Sequence, residues 1–439
     1  MTLFLYQLFF PFVAAAVLFK FLLAGRGASL REGLEDLRQR LGLPREELLR
    51  VFESHPARSV LWIHAASVGE ALATAPLLAA LSRRKERPRI VMTTSTVPGR
   101  EKARTLPGVD LALLAPVDLR PCVSAFLERL RPSSLLLIET ELWPMTLHLA
   151  RRRGLRLGLA NGRMTSRAFG RYRLLHGFFS GILSLLDRAA LQTQDDARRY
   201  QALGLRDEAA LVAGNMKYDV GETPAHDDTS GKLAKLGWAG APVWAAGSTR
   251  RGEEEILLEA HKAAARKRPD LRLILAPRHP ERCGEAADLL KRAGLGFLRW
   301  SELEAGAAPP SGGTDCLLVD GLGVLGSLYA WAFAAFVGGT LVPVGGHNLL
   351  EPARLGCPVL FGPHTANTQE PAEALRRSGG GTLVEDATQI ETLLAGWLDS
   401  PVRRADAGEA ARRTAREFTG ATARTLAHLE PVLFPSKAP

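Results

Sequence analysis

The chain has 439 residues, of which 46% are hydrophobic, 23% charged and 7% aromatic, a composition that excludes disorder as the main state. Its length allows about two or three domains, each able to bury a core without disulfides or metal ions, which excludes small stapled scaffolds. The excess of lysine and arginine (56) over aspartate and glutamate (46) gives a formal charge of +10, which favours nucleic acid, a phosphorylated substrate or an acidic membrane as partner.

The first segment is strongly apolar. Residues 3–23 read LFLYQLFFPFVAAAVLFKFLL, close to the roughly 20 residues that a helix needs to cross a bilayer. The cations Lys20, Arg26 and Arg31 stand at or after its C-terminal end, which favours an uncleaved anchor over a signal peptide and predicts a cytoplasmic position for the rest of the chain. A helix buried in protein, or an amphipathic one, is the alternative. An anionic lipid surface thus becomes the leading partner for the positive charge, and no nucleic acid is expected.

Beyond the anchor, short β-branched or Leu-rich runs alternate with helical stretches, which is typical of βα units on parallel sheets. In residues 26–222 the strands are predicted at 59–65, 89–95, 111–116, 134–140, 155–161 and 189–193. A Gly-, Pro- and Asp-rich linker follows at 223–240. In residues 241–439 a second series is predicted at 241–248, 271–277, 315–320, 334–339 and 358–363.

The predicted fold class is α/β, with residues 1–25 as membrane anchor and two doubly wound, Rossmann-like domains. The two domains are expected to face a central cleft lined by the carboxyl ends of the strands. The last helix is a candidate to pack back on the first domain. No zinc site or disulfide framework is expected, because the cysteines are far apart and lack metal-ligand spacing; they are Cys122, Cys283, Cys316 and Cys357.

Two acidic motifs follow predicted strands of the first domain. In HAASVGEALATAPLL, Glu70 stands near a helix start, where the helix dipole favours the carboxylate that can accept a proton from a hydroxyl. The alternative is a capping box with Ser67. In LLLIETELWP, strand alternation would point Glu139 and Glu141 to one side, toward the cleft. An ordinary exposed strand end is the alternative there.

Residues 150–173 contain many arginines and no acidic residue. Such a density favours an anionic neighbour, such as a phosphorylated lipid headgroup held by guanidinium groups. A solvated basic face is the alternative. The arginines concerned are Arg163, Arg167, Arg171 and Arg173.

Further motifs indicate a nucleotide site. Lys217 in GNMKYD and Arg278 in LAPRHPER are candidates to neutralise a phosphate. A structural salt bridge is the alternative for Arg278. In AGSTRRGEEE, Ser248 and Thr249 are expected to open a helix whose free N–H groups bind anions.

The strongest motif is FVGGTLVPVGGHNLLEPARLG, because its two glycine pairs let the backbone approach a ligand closely. A merely tight structural turn is the alternative. Asn348 can cap the following helix, and Glu351 can accept hydrogen bonds from ribose hydroxyls. His347 alone is weak evidence of a ligand. The glycines are Gly338, Gly339, Gly345 and Gly346.

Taken in order, these motifs resemble the 3-deoxy-D-manno-octulosonic acid (Kdo) transferases, which transfer Kdo from CMP-Kdo to a lipid A precursor in lipopolysaccharide synthesis. The resemblance covers nearly the whole chain. It rests on the anchor and on ASVGE, TTSTVPGRE, ETELWP, NGRMTSRAF, GNMKYD, AGSTRRGEEE, PRHPER and GGHNLLEP. It implies an inverting, metal-independent enzyme of GT-B fold on the cytoplasmic side of a bacterial inner membrane. It also implies an acceptor site in the first domain and a nucleotide site in the second, with no cofactor beyond the donor.

The resemblance implies that Glu70 is the general base and that Glu139 and Lys217 stabilise the transition state. It places CMP against Pro277 and Arg278, the loop Leu322, Gly323 and Val324, and the segment Asn348, Leu349, Leu350 and Glu351. One departure stands out, since Val324 occupies a position where the family usually has glutamate. That replacement removes any side-chain hydrogen bond to the nucleotide and leaves only backbone contact.

The residues agree with this chemistry. An inverting transfer needs one base for the acceptor hydroxyl and positive charge for the departing CMP. The chain contains no DxD tripeptide, which argues against a divalent-metal glycosyltransferase. Two alternatives stay open: another GT-B enzyme acting on a UDP-sugar, such as a transferase or 2-epimerase, and a non-catalytic member of the family.

Overall fold

The computed structural model describes residues 6–7, 30–53, 59–219, 234–310, 313–321 and 323–435. The chain divides into two compact units, of which unit 1 comprises Met1–Val220 with Gly420–Pro439 and unit 2 comprises Gly221–Thr419. The predicted anchor lies outside the described residues except for Tyr6 and Gln7, and so does most of the predicted linker. Within the part of the chain that is described, no helix combines the length and apolar character needed to cross a membrane.

Unit 1 is built on a parallel sheet of seven described strands in the order β3-β2-β1-β4-β5-β6-β7. Strand order reverses between β1 and β4, and the carboxyl ends of these neighbours are where an open α/β sheet binds its ligand. The strands are β1 (Val60–His64), β2 (Arg89–Thr94), β3 (Leu111–Leu114), β4 (Ser134–Ile138), β5 (Arg156–Gly162), β6 (Arg188–Leu191) and β7 (Ala210–Val212).

Helices cover both faces of this sheet, and the central strands β1 and β4 are fully buried, as in other parallel sheets. The helices are Leu30–Arg40, Glu46–Glu53, Val68–Ala73, Ala75–Ser82, Val97–Arg104, Arg120–Leu130, Pro144–Arg152, Ser166–Arg173, His176–Leu183, Gln194–Ala202 and Ala421–Leu433. The last of these packs on β4, β5 and β6. Asp219 holds its start by accepting the N–H groups of Gly420, at 2.7 Å, and Thr422.

Unit 2 has a second parallel sheet, in the order β10-β11-β9-β8-β12-β13-β14 over its described strands. Here the order reverses between β8 and β12. The strands are β8 (Val243–Thr249), β9 (Arg272–Pro277), β10 (Phe297–Arg299), β11 (Cys316–Leu318), β12 (Ala334–Val337), β13 (Val359–Phe361) and β14 (Gly381–Leu383). The helices are Glu253–Lys267, Cys283–Ala293, Trp300–Glu304, Leu325–Leu328, Leu350–Arg354, Gln369–Ser378, Ala387–Asp399 and Pro401–Glu417.

The structure confirms the predicted α/β class and each predicted strand, with ends shifted by a few residues. The strands that were not predicted are β7, β10 and β14, each of three residues and each at the edge of its sheet. An edge strand pairs on one side only, so a short and partly exposed run of residues is enough to form one. Such a run lacks the long apolar stretch that marks a central strand.

Candidate functional site

Glu70 lies in the first turn of helix Val68–Ala73, directly after β1. The Ser67 hydroxyl oxygen accepts the N–H of Glu70 at 3.3 Å, and the same hydroxyl donates to Glu70 Oε1 at 3.1 Å. Glu70 Oε2 accepts the N–H of Ala66 at 2.8 Å. Ser67 therefore caps the helix, and its hydrogen bonds hold the half-buried carboxyl group of Glu70 in one orientation.

The charge of Glu70 depends on its neighbours. Burial raises the pKa of Glu70, the hydrogen bond from Ala66 opposes this, and the carboxylates of Glu141 and Glu139 raise the pKa further. Burial disfavours the ionised form of Glu70 more than the helix start was expected to favour it. The raised pKa makes Glu70 a stronger base than an exposed glutamate.

Glu139 follows β4, which ends at Ile138, so strand alternation does not orient it as expected. Its backbone is left-handed, with φ of 61°, which costs a residue with a side chain roughly 1 kcal/mol. The buried Tyr200 donates its hydroxyl to the Glu139 carbonyl at 3.2 Å. The Glu139 carboxylate is only 15% exposed and pairs with Lys217 Nζ at 2.7 Å.

Lys217 is held by a network of side-chain amides. It lies in the short 3-10 turn Met216–Tyr218, where Asn215 Oδ1 accepts the Lys217 N–H at 3.0 Å. Asn215 in turn donates to Gln192 Oε1 at 3.1 Å. The side chain of Asn161, at the end of β5, accepts the N–H of Met216 at 3.0 Å. The turn is therefore clamped to two strand ends, which fixes the ammonium group beside Glu139.

Glu141 belongs to a second, more buried network. Trp143 Nε1 lies 3.0 Å from Glu141 Oε2 and 3.1 Å from His64 Nε2. The buried His64 completes β1, and its Nδ1 is 2.9 Å from Thr93 Oγ1, which also accepts the Trp62 indole N–H at 2.8 Å. Both ring nitrogens of His64 thus have a hydrogen-bond partner, Trp143 at Nε2 and Thr93 at Nδ1, and these partners fix the orientation of the imidazole.

Unit 1 thus brings the predicted residues Glu70, Glu139 and Lys217 together beyond the carboxyl ends of β1 and β4. Sequence reasoning did not find the supporting side chains: His64, Thr93, Asn161 and Gln192. His64 and Asn161 carried the same signal that marked Glu139, a polar residue at the end of an apolar strand. The arrangement can accept a proton at one carboxylate and offer an ammonium group nearby.

The basic run of unit 1 lies at the surface, on and around helix Ser166–Arg173. Its arginines are exposed: Arg163, Arg167, Arg171 and Arg173. Leu174 and Leu175 follow them and are 83% and 60% exposed. Cations and apolar side chains therefore share one exposed segment.

In unit 2, the expectation that Ser248 and Thr249 open a helix is wrong. The helix after β8 begins at Glu253, with left-handed Gly252 as its N-cap. Ser248 forms a bulge in β8 with φ of 56°, and buried Thr249 donates to Glu254 Oε1 at 2.9 Å. The first helical turn carries three glutamates, whose negative charge opposes the binding of an anion at its N–H groups.

The cations of unit 2 lie next to this turn. Arg250 Nε donates to His347 Nε2 at 3.2 Å, and Arg250 Nη1 is 2.8 Å from His279 Nε2. Burial, together with Arg278, Arg250 and His279, lowers the pKa of His347 to about 4, so its imidazole is neutral near pH 7. Arg278 is exposed and follows Pro277, the last residue of β9. Two guanidinium groups thus form a positive site suited to a phosphate.

The glycine-rich loop after β12 packs against protein. A Cβ at Gly345 would lie 2.5 Å from Asn367 Nδ2, and one at Gly346 would lie 2.7 Å from Thr368 Cγ2. Both glycines also have positive φ. Packing against these side chains of unit 2 is therefore one reason for glycine at both positions.

The segment after this loop leads into helix Leu350–Arg354, whose N-cap is Leu349 and not the expected Asn348. Asn348 Oδ1 accepts the N–H of Leu350 at 3.1 Å, at the start of helix Leu350–Arg354, while Leu349 and Leu350 are buried. Burial raises the pKa of Glu351, and the charges of Arg354 and Arg278 oppose that rise. Arg278 therefore lies within electrostatic reach of both Glu351 and His347.

The remaining predicted contact is the loop before helix Leu325–Leu328. Leu322 lies outside the described residues, and Gly323 has φ of 81°. The side chain of Val324 is 3% exposed and belongs to the apolar core that contains Trp300 and Leu328. A valine here contributes to packing, so any contact of this residue with a ligand is made by its backbone.

The four cysteines are buried free thiols. Across the described ranges, no cluster of three or more His, Cys, Asp or Glu side chains is placed to hold a metal ion.

Comparison with known proteins decides the family. The model of the 3-deoxy-D-manno-octulosonic-acid transferase family matches residues 35–220. The 3-deoxy-D-manno-octulosonic acid transferase of Haemophilus influenzae is 35% identical over 382 residues, which cover 87% of this chain and 88% of that protein. The chain belongs to the Kdo transferase family. The Kdo transferase of Bordetella pertussis, 35% identical over 392 residues, covers 85% of this chain and 88% of its own length.

Members of the Kdo transferase family are glycosyltransferases, so the prediction of an enzyme of this class is confirmed. Solved structures confirm the GT-B-like architecture. A UDP-GlcNAc 2-epimerase from Neisseria meningitidis matches 84% of this chain and 99% of that one, with a TM-score of 0.53 and 14% identity. For a putative UDP-N-acetylglucosamine 2-epimerase from Listeria monocytogenes, the match covers 88% of this chain and 99% of that protein, with a TM-score of 0.52 and 16% identity. At such identities the likeness concerns the fold alone.

Proposed function

We propose that this protein transfers Kdo from CMP-Kdo to a lipid A precursor, lipid IVA, in lipopolysaccharide core biosynthesis, with inversion and with Glu70 as general base. One observation carries the proposal: in a chain of this family, Glu70 lies beside Glu139 and its partner Lys217 beyond β1 and β4. A fixed carboxylate with a raised pKa is suited to take a proton from a hydroxyl group.

In the proposed step, the acceptor hydroxyl oxygen bonds to the anomeric carbon of Kdo while Glu70 takes the hydroxyl proton. The bond from that carbon to the phosphate oxygen breaks, and CMP leaves as an anion. A single displacement of this kind inverts the anomeric centre. Lys217, oriented by Glu139, stabilises negative charge at the reacting centre, where Kdo also carries its own carboxylate.

The donor is proposed to bind in unit 2, at Pro277 and Arg278, at Leu322 to Val324, and at Asn348 to Glu351. The cations Arg250 and Arg278 support a phosphate there, because they lie around a neutral His347. The largely buried Glu351 supports hydrogen bonds to ribose hydroxyls. The buried Val324 side chain limits that residue to backbone contact.

The acceptor is proposed to reach unit 1 from the cytoplasmic face of a bacterial inner membrane, with residues 1–25 as anchor. The exposed arginines from Arg163 to Arg173 support binding to lipid phosphates, and exposed Leu174 and Leu175 support contact with the apolar layer. Tyr6, in the predicted anchor, has its ring centroid 6.1 Å from that of Phe178. This ring contact supports a position of the proposed anchor near the basic segment.

Incubation of the full chain with CMP-Kdo and tetra-acylated lipid IVA, followed by mass spectrometry, tests the proposal. We expect lipid products heavier by one or more Kdo units, formed equally well with EDTA because no metal or other cofactor is proposed. A folded protein that makes no such product would indicate a non-catalytic role. Thermal shift with CMP and UDP provides a second test, since a UDP-sugar enzyme would be stabilised more by UDP.

A further inference from the structure

Two adjacent glutamates of unit 2 have no exposed surface. Glu253 and Glu254 stand at the start of helix Glu253–Lys267, and each is 0% exposed, whereas the next residue, Glu255, is exposed. Full burial of a carboxylate is costly unless hydrogen bonds or a paired charge compensate it. The hydrogen-bond partners of Glu253 and Glu254 therefore indicate the role of each side chain.

Glu253 faces backbone N–H groups. Its Oε2 accepts from Arg250 and from Gly339, both at 2.8 Å, and its Oε1 accepts from Thr340 at 3.0 Å and Leu341 at 2.9 Å. Three of these donors are consecutive residues of the loop after β12. One carboxylate therefore joins the turn after β8 to the loop that leads to His347 and Asn348.

Gly338 makes this close approach possible. A Cβ at this position would lie 2.6 Å from Thr249 Cα and 2.8 Å from Glu253 Oε2. The loop then closes on itself, because the N–H of Gly346 donates to the carbonyl of Gly339 at 2.7 Å. The carboxylate of Glu253 thus holds the N-terminal end of the loop, and Gly346 brings His347 back toward it.

Glu254 faces the other loop of the donor site. Its Oε1 accepts from Arg282 Nη1 at 2.8 Å and from the Thr249 hydroxyl at 2.9 Å. This pairing with Glu254 raises the pKa of Arg282. Arg282 ends the short turn Pro280–Arg282, four residues after Arg278, whose N–H donates to the Thr249 carbonyl at 3.0 Å. The loop after β9 is therefore held to the turn after β8.

We propose that Glu253 and Glu254 are positioning residues for the donor nucleotide: each holds one of the two loops that carry the residues assigned to CMP-Kdo. The inference rests on the proposed function for its ligand. Neither glutamate touches CMP in this scheme. Glu253 acts through the loop of residues 338–348, and Glu254 acts through residues 277–282.

Glutamine is a sharp probe of this role. At position 253 it has the size of glutamate but offers one carbonyl oxygen and an NH2 group, so some of the four N–H donors would face another donor. At position 254 it removes the buried carboxylate that pairs with Arg282 at 2.8 Å, while the longer pair of Arg282 with the more exposed Glu285, at 3.3 Å, remains. Glu255→Gln, the matched control, makes the same change on the exposed neighbour.

The test uses the full chain and CMP as the probe, with affinity measured by calorimetry. We expect Glu253→Gln and Glu254→Gln each to raise the Kd for CMP about ten-fold, equivalent to about 1.4 kcal/mol, and Glu255→Gln to leave it within about two-fold. In turnover assays the two buried variants should raise KM for CMP-Kdo far more than they lower kcat. A general loss of folded protein would instead lower kcat.

Hydrogen exchange adds a readout that general destabilisation would not reproduce. Glu253→Gln should speed exchange at Gly339, Thr340 and Leu341, and Glu254→Gln should speed it in residues 278–282. If Glu253→Gln does not fold, Arg282→Gln provides a second test, because it removes the same contact as Glu254→Gln from the other side. It should weaken CMP binding as Glu254→Gln does, without an additive loss in the double variant.

Each outcome bears on one proposal. If wild-type protein binds CMP and the buried variants bind it equally well, the positioning role is overturned. If wild-type protein does not bind CMP, the proposed donor site fails. In that case, localised exchange changes would still establish that each glutamate holds its loop.

Discussion

The two units place glutamates at equivalent points of their sheets and use them in opposite ways. In unit 1, Glu70 and Glu139 follow β1 and β4, the neighbours at which strand order reverses. In unit 2, Glu253 and Glu254 follow β8, which occupies the same place next to β12. Glu70 is half-buried, while Glu253 and Glu254 have no exposed surface. The partly accessible glutamates of unit 1 are therefore the ones proposed for chemistry, and the enclosed glutamates of unit 2 are the ones proposed to hold loops.

The partners differ as well. Glu70 has two other carboxylates close enough to raise its pKa, which favours proton uptake. Glu253 meets four backbone N–H groups, which stabilise a fixed negative charge. Substitutions should therefore separate the units, with catalysis lost in unit 1 and donor affinity lost in unit 2.

The largest effect is expected for Glu70→Ala. Removing the general base should lower kcat about 10²–10⁴-fold while the Kd for CMP stays unchanged, because CMP is assigned to unit 2. Product formation by mass spectrometry and calorimetry with CMP measure the two quantities. Glu128→Gln, an exposed change in the same unit, serves as control. An active Ala variant would remove Glu70 from this role.

The next effect concerns the ion pair of unit 1. Lys217→Met should lower kcat about 10²-fold, since the ammonium group stabilises developing charge in the transition state. Glu139→Gln should have a similar effect by releasing Lys217, and the double variant should lose little more than either single one. Additive losses would show that the two side chains act separately.

A smaller effect is expected for Arg278→Ala in unit 2. Loss of one guanidinium group should raise KM for CMP-Kdo about ten-fold, with a lesser change in kcat. Arg292→Ala, at an exposed position of the same unit, is the matched control. Unchanged donor affinity in Arg278→Ala would contradict its assignment to the phosphate.

The smallest effect is a change in pH dependence. The proposed mechanism needs ionised Glu70, so activity should fall as pH drops through its raised pKa. Glu141→Gln removes one of the charges that raise this pKa, so the acid limb of the kcat profile should move to lower pH. The maximal rate should stay within about two-fold, because glutamine can still accept the Trp143 N–H. An acid limb that does not move would show that Glu141 has little influence on the base.

The sequence was a good guide to the central strands and to the residues that follow them. Long apolar runs such as residues 134–138 have few alternatives to a buried parallel strand, and acids beside them are conspicuous. The edge strands β7, β10 and β14 were not predicted, because a strand that pairs on one side only needs little apolar character. The helix start at Glu253 was misplaced because Thr249 is part of a bulged strand, and Gly252 makes the turn.

The supporting side chains were harder to predict, because their roles depend on contacts between distant segments. Asn161 is a polar residue at the end of a strand, but only the fold places it against Met216, 55 residues later. Arg250 was one of many arginines until the fold put it between His279 and His347.

By itself, the sequence determined the α/β class, the order of the central strands along the chain, and the family motifs that follow them. These features are local, because an apolar run and the polar residue after it are neighbours in the chain. Only the tertiary structure decided which glutamates are accessible and what they meet. Lys217 reaches Glu139 across 78 residues, and Gly339 reaches Glu253 across 86. Burial and hydrogen bonding at such separations depend on how the strands are ordered in the sheet, and they distinguish the glutamates proposed for chemistry from those that hold loops.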